Sequence, residues 1–160
     1  IKNAITGFTG LEHRLEHVHT INEVQYYNDS KATTPEAATA GIKAFDNPTI
    51  LIAGGYDKQV SLHQFALECV RNTKCVILIG GTAETIQKLI QDIKGEKIKP
   101  DVYMAASLDE SVKKASEIAE PGDIVLLSPA CASFGMFANY EERGKEFKEL
   151  VRDIVAAAPC

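Results

Sequence analysis

The chain has 160 residues, 45% of them apolar, which is enough to close one sizeable core within a single domain. A formal net charge of −5 gives no broad cationic field, so no nucleic-acid or anionic-membrane partner is expected. No apolar run approaches the ~20 residues of a membrane helix, and no signal-peptide pattern opens the chain.

Four cysteines, Cys69, Cys75, Cys131 and Cys160, stand far apart with no C-x-x-C pair. That spacing argues against a zinc ribbon or a secreted disulfide framework, and reduced thiols in a cytoplasmic protein are expected. The start at Ile1, with the turn-rich segment Thr6 to Gly10 behind it, reads as a piece cut from a longer polypeptide at a linker.

In chain order, Arg14 to Ile21 alternates loosely and reaches Asn22-Glu23, the signature of an antiparallel strand hairpinned onto the next one. The β-rich runs are Val24 to Asn28, Ile50 to Ala53, Cys75 to Ile79, Val102 to Met104 and Ile124 to Leu127. Apolar stripes at helical spacing lie between them: Ala38, Ile42, Phe45; Leu62, Phe65, Ala66, Cys69; Ile86, Leu89, Ile90, Ile93; Leu108, Val112, Ala115, Ala119. A last helix carries Phe147, Leu150, Val151, Ile154 and Val155 on one face. Its charges, Glu141, Glu142, Lys145, Glu146 and Lys148, are expected to face solvent. The alternation predicts an α/β fold: a Rossmann-like three-layer sandwich, mostly parallel, with helices on both faces and an antiparallel N-terminal strand.

In such sheets ligands bind beyond the carboxyl ends of the strands. Three strand-exit loops carry unusual chemistry: NDSKATTPEA at 28–37, AGGYDK at 53–58 and LLSPACASFGMF at 126–137. The first enters a helix through either a Thr33/Glu36 capping box or a Thr34 N-cap followed by Pro35. Capping accounts for those residues but not for Lys31, since a cation before a helix N-terminus opposes the macrodipole unless an anion lies between them. Asp29, Lys31 and the helix N-terminus can together hold a phosphate or carboxylate and grip a ribose hydroxyl.

In the second loop, Gly54-Gly55 turns the chain and presents Lys58, which an ordinary solvated turn would also explain. The P-loop spacing G-x-x-x-x-G-K-[ST] is absent, and Gly80-Gly81 does not complete a dinucleotide fingerprint. The small residues of the third loop allow close approach to a ligand, with Ser133 as a hydroxyl donor. Cys131 has no histidine in neighbouring strand-end loops to activate it and reads as a packed residue. Phe134, Phe137 and Tyr140 are expected as a wall beside this loop, or as core. His13, His17 and His19 with Glu12 and Glu16 look like a metal cluster, but His13 is too distant along a strand, and no metal site is expected.

GLEHR at 10–14, YNDSKATTPEA at 27–37, AGGYDK at 53–58 and LLSPACASFGMFANYEERGKEF at 126–147 resemble, in order and spacing, the C-terminal domain of the D-glutamate-adding Mur ligases. The resemblance covers nearly the whole chain. It implies a division into residues 1–14, a linker or the end of a preceding central ATPase domain, and residues 15–160, the amino-acid-binding domain.

The resemblance further implies an ATP-dependent amide-bond ligase of peptidoglycan precursor synthesis, acting through an acyl phosphate on UDP-N-acetylmuramoyl-L-alanine. That substrate and the Mg2+ ligands would be held by domains not in this sequence, so the chain alone would be inactive. Position by position, Arg14, Asp29 and Lys31 would contact ATP, with Lys31 assisting catalysis. Thr33, Lys58, Ser133, Phe134 and Tyr140 would hold D-glutamate. The chain departs from the family pattern at Tyr56-Asp57, where relatives read Asp-Gly, and at Tyr140, where others have phenylalanine. The rival readings are a non-catalytic Rossmann-like module binding an anion or nucleotide, and the same domain of a Mur ligase adding another amino acid.

Overall fold

The computed structural model describes residues 10–158. The segment Ile1 to Thr9, with most of the expected linker, and Cys160 lie outside the described residues.

Six strands form one sheet: β1 (Glu16–Ile21), β2 (Val24–Asn28), β3 (Thr49–Ala53), β4 (Cys75–Leu78), β5 (Asp101–Met104) and β6 (Ile124–Leu127). Five helices connect and cover them: α1 (Pro35–Lys43), α2 (His63–Asn72), α3 (Ala83–Lys94), α4 (Leu108–Ile118) and α5 (Tyr140–Ala157). The order across the sheet is β1-β2-β6-β3-β4-β5, parallel throughout except for β1. The expected Rossmann-like α/β sandwich with its antiparallel first strand is what forms. Asn22 and Glu23 both take positive φ, 50° and 63°, so the hairpin closes through a two-residue turn whose twist matches that of its strands.

Strands β3, β4 and β6 are buried at every residue, because helices cover both faces. Ala38, Ile42, Phe65, Ile86 and Ile90 pack with Leu51, Val76 and Leu126 on the face of α1, α2 and α3. Val112, Ala115, Phe147 and Val151 of α4 and α5 pack with Ile50, Ile52, Ile77 and Val125 on the other. Among the described residues no helix is long and apolar enough to cross a membrane.

The strand order positions the site. β6, last in sequence, inserts between β2 and β3. The loops leaving β2, β6 and β3 are therefore neighbours at one edge, at the point where the winding of the sheet reverses.

Candidate functional site

Backbone hydrogen bonds stitch the three loops together. From the central loop, Ala130 N donates to Ala32 O at 3.0 Å on one side. On the other, Gly54 N donates to Pro129 O at 2.9 Å and Tyr56 N to Ala132 O at 2.9 Å. Ala130 is held at a φ of 62°, a left-handed conformation that costs a non-glycine residue about 1–2 kcal/mol. The loop tolerates it because its backbone is bonded to both neighbours. Lys31, Lys58 and Ser133 thus lie beyond the carboxyl ends of three adjacent parallel strands.

At the exit of β2, Thr34 is the N-cap: its hydroxyl accepts from Ala37 N at 3.3 Å, with Pro35 opening α1. The Thr33/Glu36 alternative does not form, which leaves the Thr33 side chain available to the recess that it lines. Asp29 is buried beneath this turn, accepting from Leu15 N at 3.2 Å and from the Ser128 hydroxyl at 2.8 Å. Burial raises its pKa above the usual carboxylate value; its two hydrogen bonds and nearby Arg14 oppose that shift. Gly41 of α1 makes room for the carboxylate, since a Cβ there would come within 2.7 Å of Asp29 Oδ2.

Arg14, Asp29 and Lys31 line a cleft of about 290 Å³ with Ala37, Ala40 and Gly41. That volume sits just below the ~300–1,000 Å³ typical of complete small-molecule sites. Arg14 is presented by a turn in which His13 and Leu15 both have positive φ, 64° and 43°.

Thr33, Tyr56, Lys58, Thr82, Cys131 and Ala132 line a second, tighter recess of about 10 Å³. Ser133 is buried, and its hydroxyl makes no hydrogen bond to another described residue. Phe134 is exposed and meets Tyr56 edge to face. Tyr140 is placed differently, its ring edge-on to His13 at 6.0 Å between centroids. Among the described residues Arg14, Lys31 and Lys58 form no ion pair, whereas Lys43, Lys74, Lys113 and Lys148 all do. No carboxylate among the described residues comes within ion-pair distance of these three cations, although Asp29 shares the cleft of Arg14 and Lys31.

Two features went unread in the sequence. Arg143 is fully buried, and it donates from Nε to Ser30 Oγ at 2.9 Å, from Nη2 to Ser30 O at 2.9 Å and from Nη1 to Cys131 O at 3.1 Å. It fastens the first loop to the third from below, and desolvation lowers its pKa to about 10. The available signal was its spacing: Arg143 stands four residues before Phe147 and eight before Val151, on the apolar face of α5. The second is His13, buried against Asn28, whose Nδ2 lies 3.0 Å from His13 Nδ1. Desolvation lowers its pKa despite nearby Glu12. No group of three His, Cys, Asp or Glu able to hold a metal occurs among the described residues. The charges of α5 are also less uniformly solvated than expected: Lys148 is largely buried between Glu12 at 2.8 Å and Glu16 at 3.2 Å.

The family model described as "Mur ligase, glutamate ligase domain" matches residues 13–131. A UDP-N-acetylmuramoylalanine–D-glutamate ligase of Clostridium botulinum is 47% identical over 155 residues, covering 96% of this chain and 34% of that protein. The ligase of the same name from Caldanaerobacter subterraneus is 46% identical over 154 residues, again 96% and 34%. The chain thus spans about a third of the length of the curated relatives that it matches. A crystallised domain assigned to a Haemophilus ducreyi UDP-N-acetylmuramate:L-alanyl-gamma-D-glutamyl-diaminopimelate ligase superposes with a TM-score of 0.60 at 17% identity, covering 90% of this chain and 98% of that one. E. coli FolC in complex with ADP superposes with a TM-score of 0.57 at 16% identity, covering 92% and 32%. At those identities the structural likeness speaks for the fold, while the family match and the identity to the curated relatives place this chain in the Mur ligase family, as its glutamate ligase domain.

Proposed function

We propose that this domain supplies the D-glutamate site and one wall of the ATP site of a cytoplasmic ligase that joins D-glutamate to UDP-N-acetylmuramoyl-L-alanine. The observation that carries the reading is the convergence of Arg14, Lys31 and Lys58, cations without a carboxylate partner among the described residues, on two recesses at one sheet edge. The names of the relatives support the choice of amino acid and acceptor.

In this reading ATP transfers its γ-phosphoryl group to the alanyl carboxylate and ADP departs. The D-glutamate amine then attacks the acyl carbon, and the tetrahedral intermediate expels phosphate as the amine loses its proton. Arg14 and Lys31 neutralise phosphate charge, with Lys31 acting most where charge develops, and Asp29 accepts from the ribose. Lys58 and Thr33 hold the amino-acid carboxylates, with Ser133 and Phe134 alongside and Tyr140 at the first loop. UDP-sugar, the remaining ATP contacts and Mg2+ belong to residues outside this chain. Residues 15–160 form the amino-acid-binding domain, and residues 1–14 its junction with a preceding ATPase domain. The end of that junction is anchored in the site, since Lys31 N donates to His13 O at 3.0 Å.

Kinetics of the whole ligase test the reading. Truncating one partner of a desolvated charge pair costs about 2–5 kcal/mol, so Lys58→Ala should raise the KM for D-glutamate roughly 30-fold or more. Lys31→Ala should instead depress kcat. A glutamate KM raised by Lys31→Ala and not by Lys58→Ala would exchange the two assignments. Silence of both variants would reduce these loops to helix caps and turns.

A further inference from the structure

Tyr56, one of the positions at which the chain departs from the family pattern, is fixed by its backbone. Gly54 and Gly55 take φ of 105° and 156°, and a Cβ would meet Ile79 O at 2.1 Å from Gly54 and Ala132 O at 2.4 Å from Gly55. Gly55 N donates to Thr82 Oγ1 at 3.0 Å, Thr82 N returns a bond to Gly55 O at 3.1 Å, and Tyr56 N donates to Ala132 O at 2.9 Å. With its main chain held between two loops, Tyr56 turns its side chain outward. It stands 50% exposed against Phe134, itself 53% exposed, with ring centroids 6.1 Å apart at 84°. A preferred aromatic geometry is thus held open to water at the mouth of the recess that Lys58 and Thr33 line.

The recess has room for about one water molecule. An amino acid must therefore lie across its mouth, between the rings and Lys58. A dicarboxylic amino acid has anionic ends joined by methylenes, which suits a cation flanked by an apolar wall.

We infer that Tyr56 is a binding residue of the amino-acid site: its ring, braced by Phe134, covers the contact between Lys58 and the substrate carboxylate and keeps water from it. Excluding water strengthens that ion pair and removes it from salt screening. The inference rests on the D-glutamate reading above, and the variants separate the two.

In the whole ligase, Tyr56→Ala should raise the KM for D-glutamate about tenfold, equivalent to about 1.4 kcal/mol. The effect should exceed any change in the KM for ATP, and the KM should rise more steeply with added salt than in the parent. Tyr56→Phe, which keeps the ring, should restore the parent values, and Phe134→Ala should reproduce the loss. Once Lys58 is alanine, truncating Tyr56 should add little. A Tyr56→Ala enzyme with parental glutamate KM and salt dependence overturns the inference while a raised KM in Lys58→Ala leaves the site assignment standing. A Tyr56→Phe enzyme as impaired as Tyr56→Ala also overturns it, by assigning the effect to the hydroxyl. Silence of Lys58→Ala overturns the site assignment itself.

Discussion

Arg143 holds Ser30 by both of its oxygens, Nε to the hydroxyl and Nη2 to the carbonyl, each at 2.9 Å. Its remaining terminal nitrogen reaches Cys131 O at 3.1 Å. One planar fork thereby sets the spacing of two site loops, and no carboxylate neutralises it within ion-pair distance among the described residues. Arg143→Met should cost about 2–4 kcal/mol, because buried acceptors lose charged donors while the desolvation cost of the guanidinium is relieved. Arg143→Lys should not recover it, since a single ammonium cannot reproduce the fork. Urea unfolding of the chain checks both, with an unchanged midpoint for Arg143→Met as the contrary result.

Gly144 follows directly on α5, where a Cβ would lie 2.1 Å from His13 Nδ1 and 3.0 Å from Asn28 Nδ2. Alanine in a helix interior gains about 1 kcal/mol over glycine. Here it would displace a buried imidazole, and overpacking of this kind costs about 1–3 kcal/mol or more, so the clash outweighs propensity. Gly144→Ala is therefore expected to lower Tm by roughly 2–8 °C. A raised Tm in scanning calorimetry would show that His13 yields without cost.

Burial depresses the pKa of His13 below the ordinary imidazole value of 6.5. Its contribution to stability is therefore fully present above pH 6.5 and is lost as pH falls through the folded-state value. Asp29 has the opposite sign: its pKa is raised above 3.8, so its contribution is complete below pH 3.8 and lost as pH rises through the folded value. As pH falls below 6.5 the His13 contribution falls with it, and replacing His13 by glutamine should flatten the pH dependence of unfolding on that acid side. Parallel profiles for the two proteins would exclude His13 as the source.

Cys131 is buried, its Sγ 3.3 Å from Thr82 Oγ1, and desolvation raises its pKa. A thiol so placed is a poor nucleophile. Alkylation of Cys131 by iodoacetamide, followed by peptide mapping, should be at least about tenfold slower in the folded chain than in urea. Equal rates would mean that the loop opens freely.

The helical stripes were legible because a period of 3.6 reports which face is apolar, the central strands because a strand covered on both faces is apolar throughout, and the hairpin because Asn22-Glu23 interrupts two extended runs. The three candidate loops stood out because Lys31, Lys58 and the SPACAS run break that pattern soon after strands. The sequence left two caps open for α1, and only the backbone path selected Thr34. Arg143 stood inside the run at 126–147 with no role of its own, and His13 read as part of an apparent metal cluster. Their roles depend on partners 113 and 15 residues away, Ser30 and Asn28, which no local spacing encodes. The same holds for the site as a whole. Local pattern, set by side-chain chemistry along a few turns, determined that this chain makes a parallel sheet with three strand exits that break the apolar pattern. Only the long-range pairing of β6 between β2 and β3 brought those exits together, because neighbours in a sheet are fixed by hydrogen bonding across the chain and not along it.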